Sequence, residues 1–259
     1  MLEPVQTSGN RPPLFFVHGT HGVMTFGSAL KRALGPQQPI YAIHAEGIDG
    51  RVPPIDNMQD MVSEYVRQIR EARVTSQIRI GGLCGGCTAT IEVARELQKS
   101  GIETGPVILV DPTASALEVQ KRAVGPLPPE VAEQMYQWVR TLFLELAKDP
   151  DNDFPFDVAN ADQLHLATLA GTNAAVANDK FVKTPFPGSI EVILARPRAA
   201  SFFHPQLQWQ KLFPGLCMAY VLPLDHVELL SNSREATIHL LKFIIEKGRL
   251  LDASEAASA

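Results

Sequence analysis

Six short apolar runs punctuate the chain: PLFFVHGT (13–20), IYAIHAEG (40–47), QIRIGG (77–82), PVILVDPT (106–113), SIEVILARP (189–197) and CMAYVLP (217–223). Between them lie stretches whose apolar residues recur three and four apart, at 25–34, 58–72 and 85–101. The first pattern predicts buried strands and the second amphipathic helices. Lys99 and Gly101 supply the C-terminal signals of the third helix. A further amphipathic helix is predicted over 233–248, and residues 250–259, small and polar, are expected to fray. Strands alternating with helices at this pitch predict an α/β fold with a mostly parallel sheet covered on both faces.

Residues 114–188 break the alternation. They read as helices separated by Pro, for example PPEVAEQMYQWVRTLFLELAKDP (128–150), and carry no strand signal. The expectation is one domain, 1–259, interrupted by a helical insertion placed as a lid. Met135, Tyr136, Trp138, Leu142 and Phe143 are candidates to line a chamber beneath it, and at helical spacing they read equally as core packing. Phe202, Phe203 and His204 are candidates for the border of the site.

Composition narrows the class. With 259 residues, 45% hydrophobic and 20% charged, the chain can bury a large core. Its net charge of −5 and scattered basic residues offer no face for nucleic acid or an anionic membrane. There is no signal-peptide pattern and no apolar run of membrane-spanning length, so a soluble, cytoplasmic protein is expected. Three cysteines, an odd number, argue against a disulfide framework. Cys84 and Cys87 have the spacing of a redox pair or half a zinc site, but no second Cys/His pair stands at ligand spacing. Neither metal nor cofactor is expected.

Chemistry concentrates in Gly82-Leu83-Cys84-Gly85-Gly86, the Gly-x-Ser-x-Gly pattern of a nucleophile elbow with Cys at its centre. A predicted strand precedes it and a predicted helix follows, so Cys84 sits at a sharp turn whose small neighbours relieve crowding. The helix dipole there favours the thiolate. A base and an orienting acid should follow in chain order. His226, in LPLDHVELL just past the last strand, is the base, because His239 is mid-helix. For the acid, the loop after the penultimate strand, ARPRAAS, contains no carboxylate. Asp111, at the end of VILVD, is the next place, with Asp225 as the alternative. The backbone N–H groups of Gly85 and Thr20 are the expected oxyanion donors. His18 and His21, early in the chain, are assigned to shaping the loop and to the pocket edge.

Together these residues resemble the thioesterase family of α/β-hydrolases, in particular the chain-terminating thioesterase domains of nonribosomal peptide and polyketide synthases. PLFFVHGTHG resembles their opening strand and oxyanion loop. GPQQPIYAIHAEGIDG resembles their second strand segment, GGLCGGCTATIEVARELQKSGIETGPVILVDPTAS their elbow, helix and acid-bearing strand, and LPLDHVELL their His loop. The resemblance covers 12–113 and 186–246, leaving the insertion unmatched. It places the acid after VILVD, at Asp111. It implies an acyl, peptidyl or polyketide substrate carried on the phosphopantetheine of a carrier protein, or on coenzyme A, and a carrier protein as partner.

The family usually has Ser at the elbow; those with Cys are associated with strained-ring formation or transfer to amines. An acyl group on sulfur remains a thioester, so the intermediate keeps its reactivity toward water, an internal hydroxyl or an amine. Release by hydrolysis or by cyclisation is therefore expected. Two other readings stand beside it: a small-lactone hydrolase like the dienelactone enzymes, which also use a Cys elbow, and a non-catalytic acyl-binding module. With Met near the first strand and no visible carrier domain, the chain reads as a free-standing protein or an excised domain.

Overall fold

A computed structural model describes residues 1–72, 77–113, 128–181, 183–203, 209–230 and 234–256. Its centre is a seven-stranded sheet in the order β1-β3-β2-β4-β5-β6-β7. The strands are β1 (Leu2–Gln6), β2 (Leu14–Val17), β3 (Ile40–Ile43), β4 (Arg79–Leu83), β5 (Val107–Val110), β6 (Ile190–Ala195) and β7 (Leu216–Leu222). Every neighbouring pair is parallel except β1 with β3. The sequence pattern predicts six of these strands and misses β1, whose Pro4 breaks the apolar run. Pro is tolerated there because β1 is an edge strand.

Period-2 alternation sorts the side chains of β2 to opposite faces. Phe15 and Val17 join the core beneath α2 (Met58–Glu71) and α3 (Cys87–Lys99). Leu14 and Phe16 join the core beneath α1 (Gly27–Leu34) and the closing helix. Because β2, β4, β5 and β6 are buried throughout, they read as largely apolar runs, broken only by Arg79 in β4 and Glu191 in β6. The side chain of Asn57 caps α2 by accepting from the Asp60 N–H at 2.9 Å.

Two long helices occupy the insertion between β5 and β6: α4 (Pro129–Leu146) and α5 (Ala161–Lys180). Asn160 caps the second, accepting from the N–H groups of Asp162 and Gln163. The pair has a small core of its own, with Val139 and Phe143 against Phe156, Leu164, Ala167 and Ala170, joined by Val23 and Ile48 from the main domain. Residues 114–127 of the expected insertion lie outside the described residues.

After β6 the chain turns at once into α6 (Arg196–Phe202), with Pro197 in its first turn where the missing N–H costs nothing. A short α7 (Trp209–Leu212) precedes β7. Beyond β7, α8 (His226–Leu230) leads to α9 (Arg234–Ala256). α9 extends to Ala256. Residues 257–259 lie outside the described residues. Among the described residues, no helix is long and apolar enough to cross a membrane.

Candidate active site

β4 ends at Leu83 and hands Cys84 to a single 3₁₀ turn, Cys84–Gly86, which runs directly into α3. Cys84 has φ +48°, in the left-handed region that costs a non-Gly residue about 1–3 kcal/mol. Gly86 is fixed by space: a Cβ there would run into the carbonyl oxygen of His18. The Thr90 hydroxyl donates to the Gly86 carbonyl at 2.9 Å, tying the turn to the helix. Cys87 belongs to the core. Its thiol donates to the Gly82 carbonyl at 3.3 Å, and burial pushes it well above the usual thiol value. All three cysteines are free, and no His/Cys/Asp/Glu cluster fit for a metal occurs among the described residues.

The structure brings Cys84, His226 and Asp111 into one line. Cys84 Sγ stands 3.3 Å from His226 Nε2, and His226 Nδ1–H donates to Asp111 Oδ2 at 2.5 Å. Asp111 follows β5 as Cys84 follows β4, and it is wholly buried. Its other oxygen accepts the Ala195 N–H at 2.8 Å. Arg198, on α6, forms an ion pair with Oδ2 at 3.2 Å. Asp225, the alternative acid, is occupied otherwise: its carboxylate accepts the Glu228 N–H, and its own N–H donates to Glu228. This reciprocal cap starts α8, of which His226 is the first residue. His239 is exposed on α9.

The electrostatics favour an ion pair. Burial pushes the Cys84 thiol up, yet the hydrogen bond and charge of His226, the Thr20 hydroxyl and the charge of Arg198 outweigh it and hold the thiol below its usual value. Burial pulls His226 down, and hydrogen bonds to Asp111 and Cys84 with their charges raise it to about 9. Thiolate and imidazolium therefore stabilise each other.

The Gly19–Gly22 loop lies against the elbow. Thr20 Oγ1 accepts the Gly85 N–H at 3.1 Å and stands 3.2 Å from Cys84 Sγ. Where the sequence points to the Thr20 backbone, the structure places its hydroxyl on both groups. His18 is buried, with Nδ1 2.6 Å from the Gly19 carbonyl oxygen and Nε2 2.7 Å from the Tyr65 hydroxyl. His21 packs edge-on to Phe143 of α4, and its buried Nε2 has no hydrogen-bond partner among the described residues. An unmatched buried polar group of this kind costs about 1–3 kcal/mol.

Of the other aromatic candidates, Phe143 is wholly buried in the insertion core, whereas Trp138 is 48% exposed and points outward. Tyr136 holds His165 through its hydroxyl at 2.7 Å. Phe202 is buried and Phe203 exposed, while His204 lies outside the described residues. The sequence reading missed Arg198, which pairs with Asp111, and Asn178, whose side chain comes close to Gly85. The only signal for the first was an Arg in the loop that lacked a carboxylate, and the second sits in an Ala-rich helix that offered none.

Sheet order, elbow and the convergence of Cys84, His226 and Asp111 define an α/β-hydrolase fold. The family model for the thioesterase domain matches residues 12–247, so the chain belongs to that family. Malpibaldin synthetase of Mortierella alpina is 35% identical over 114 residues, 44% of this chain and 2% of that protein. A dimodular nonribosomal peptide synthase of Bacillus subtilis is 32% identical over 111 residues, 43% of this chain and 5% of that protein. The chain thus spans a small fraction of the length of these relatives. Among solved structures, the type II thioesterase BorB from the borrelidin biosynthetic cluster superposes with a TM-score of 0.69 at 17% identity, covering 94% of this chain and 97% of that one. At that identity the likeness is one of fold.

Proposed function

We propose that the chain is a thioesterase that takes an acyl or peptidyl group from a carrier-protein phosphopantetheine, or from coenzyme A, onto Cys84 and releases it by hydrolysis, cyclisation or acyl transfer. The observation that carries this reading is the line from Cys84 Sγ through His226 to Asp111, at 3.3 and 2.5 Å. The synthetase relatives support a carrier protein as partner.

In the first step the Cys84 thiolate attacks the thioester carbonyl. The Gly85 N–H turns from Thr20 Oγ1 to the developing oxyanion, and Thr20 becomes a donor to it. As the tetrahedral intermediate collapses, the carbon–sulfur bond to the carrier breaks, and the His226 imidazolium protonates the departing thiolate. Acylation removes the charge on Cys84 that helped to raise His226. The now neutral imidazole, oriented by Asp111, takes a proton from water or from an internal hydroxyl or amine as that group attacks. The second collapse breaks the carbon–sulfur bond to Cys84, which leaves as the thiolate beside the His226 imidazolium already formed, and the acyl product departs. The insertion helices act as a lid that limits the access of water to the acyl-enzyme.

The test is intact-protein mass spectrometry with acyl-pantetheine thioesters on the wild type, Cys84→Ala and His226→Ala. The wild type should show an acyl adduct that turns over, His226→Ala should lose turnover, and Cys84→Ala should form no adduct. Product formation unchanged in Cys84→Ala would end the proposal.

A further inference from the structure

The second insertion helix carries a polar group to the elbow. α5 lies flush on the loop below it: at Gly171 a Cβ would meet the carbonyl oxygen of His21. Two helical turns on, the same face carries Asn178. This residue is 7% exposed, and its buried Oδ1 has no hydrogen-bond partner among the described residues. Its Nδ2 stands 2.8 Å from the point a Cβ on Gly85 would occupy, a point that Thr20 Oγ1 crowds as well. The carboxamide therefore sits beside the two groups assigned to the oxyanion. Its buried helical neighbours are Ala174, Ala175 and Ala177, which offer no polar side chain. The buried hydroxyls of this helix, Thr168 and Thr172, bond to its own carbonyls, whereas the Asn178 oxygen stays unmatched among the described residues, and holding it so costs stability. A partner that arrives with the substrate accounts for it.

Oδ1 is an acceptor, so the missing partner is a donor. The thioester itself has none. A secondary amide near the thioester has one, either in the acyl group, as in an N-acylaminoacyl thioester, or in the pantetheine arm. Resting on the thioesterase reading above, we propose that Asn178 is a substrate-binding residue whose side-chain oxygen accepts the N–H of a secondary amide close to the reacting carbonyl. The site is thereby built for amide-bearing thioesters rather than plain acyl ones.

The experiment measures kcat and KM for N-acylaminoacyl, plain acyl and 3-hydroxyacyl thioesters of equal length. Each is carried on N-acetylcysteamine and on ethanethiol, and the wild type is compared with Asn178→Leu and Asn178→Ala. Asn178→Leu should lower kcat/KM for amide-bearing thioesters by about 10- to 100-fold, chiefly through KM, and change amide-free ones by less than about threefold. It should also raise Tm by about 2–4 °C, because the unmatched amide is gone. Sensitivity on ethanethiol thioesters assigns the amide to the acyl group, and sensitivity confined to N-acetylcysteamine thioesters assigns it to the arm. Equal losses on every substrate, a loss confined to the hydroxyacyl series, or a lowered Tm in both variants would overturn the proposal. A wild type that hydrolyses no thioester while Cys84 still alkylates would instead strike the thioesterase reading itself.

Discussion

Cys84 and Asp111 share one backbone conformation, φ +48°, each at the residue after its strand, and the strands place Leu83 beside Val110 in register. They are the only non-Gly residues with positive φ among the described residues. Two neighbouring strand ends are thus bent alike, so that one presents a thiol and the other a carboxylate to the same His226. Because Gly occupies the left-handed region freely, Cys84→Gly should raise the unfolding free energy by about 1 kcal/mol while removing adduct formation. Cys84→Ala, which keeps the strain, should not gain it. Urea unfolding of the two variants side by side decides this.

The thiolate–imidazolium pair sets a pH window. Below the lowered pKa of Cys84 the thiol is protonated, and above about 9 His226 loses its proton. The rate of iodoacetamide labelling of Cys84 should therefore rise to its plateau at a pH below that of an ordinary thiol. His226→Ala removes the hydrogen bond and charge that hold the thiol down, so the inflection should move upward. An unchanged inflection would mean that the two groups are not coupled.

Arg198 shares Asp111 Oδ2 with His226 and also contributes to lowering the Cys84 thiol. It is a positioning residue that acts through both partners. Arg198→Met should reduce kcat by about tenfold and shift the labelling inflection of Cys84 upward, with Arg198→Lys keeping the charge but not the fork geometry. A fall in kcat with no shift in the inflection would mark Arg198 as purely structural.

Burial lowers His18 to about 3 and His21 to about 4. In the unfolded chain both bind a proton near the ordinary value of 6.5, so below that pH the unfolded state takes up protons the folded state refuses. Their contribution is intact above 6.5 and is lost as pH falls toward 4, at up to about 1.4 kcal/mol per pH unit for each residue. His21→Phe should flatten the fall in urea midpoint between pH 6.5 and 4.5. An equal slope in wild type and variant would rule out His21 as a contributor.

Gly86→Ala forces a Cβ into the carbonyl of His18, a backbone group that cannot rotate away. The variant should lose about 3 kcal/mol or more of stability. Its labelling of Cys84 should also slow, because the turn and the Gly19–Gly22 loop must move together. Thermal unfolding and labelling rate measure both effects.

Much of this was legible in the residues because burial on both sides makes inner strands predominantly apolar runs. β2, β4, β5 and β6 announce themselves in that way, and the small residues of the elbow mark the turn between β4 and α3. Cys84 and His226 stand out because chain order and residue type both select them. Asp111 required elimination, since a single Asp after a strand has no pattern of its own. β1 was hidden by Pro4 and by its edge position. The role of the ARPRAAS segment was hidden because an Arg after a strand normally reads as solvated surface, and only the third dimension brings Arg198 to Asp111. Asn178 was invisible for a similar reason: no sequence pattern shows that its side-chain oxygen is buried without a partner among the described residues.

The insertion also divides the site along the chain. Cys84 and Asp111 precede it, whereas Ala195, Arg198 and His226, which satisfy Asp111 and activate the thiol, all follow it. On the proposed reading, the elbow can form during synthesis from the N-terminus while the groups that would activate its sulfur are still inside the ribosome. On that reading the nascent chain would hold Cys84 apart from His226 and Arg198 through its exposed phase and bring them together only as the last strands dock.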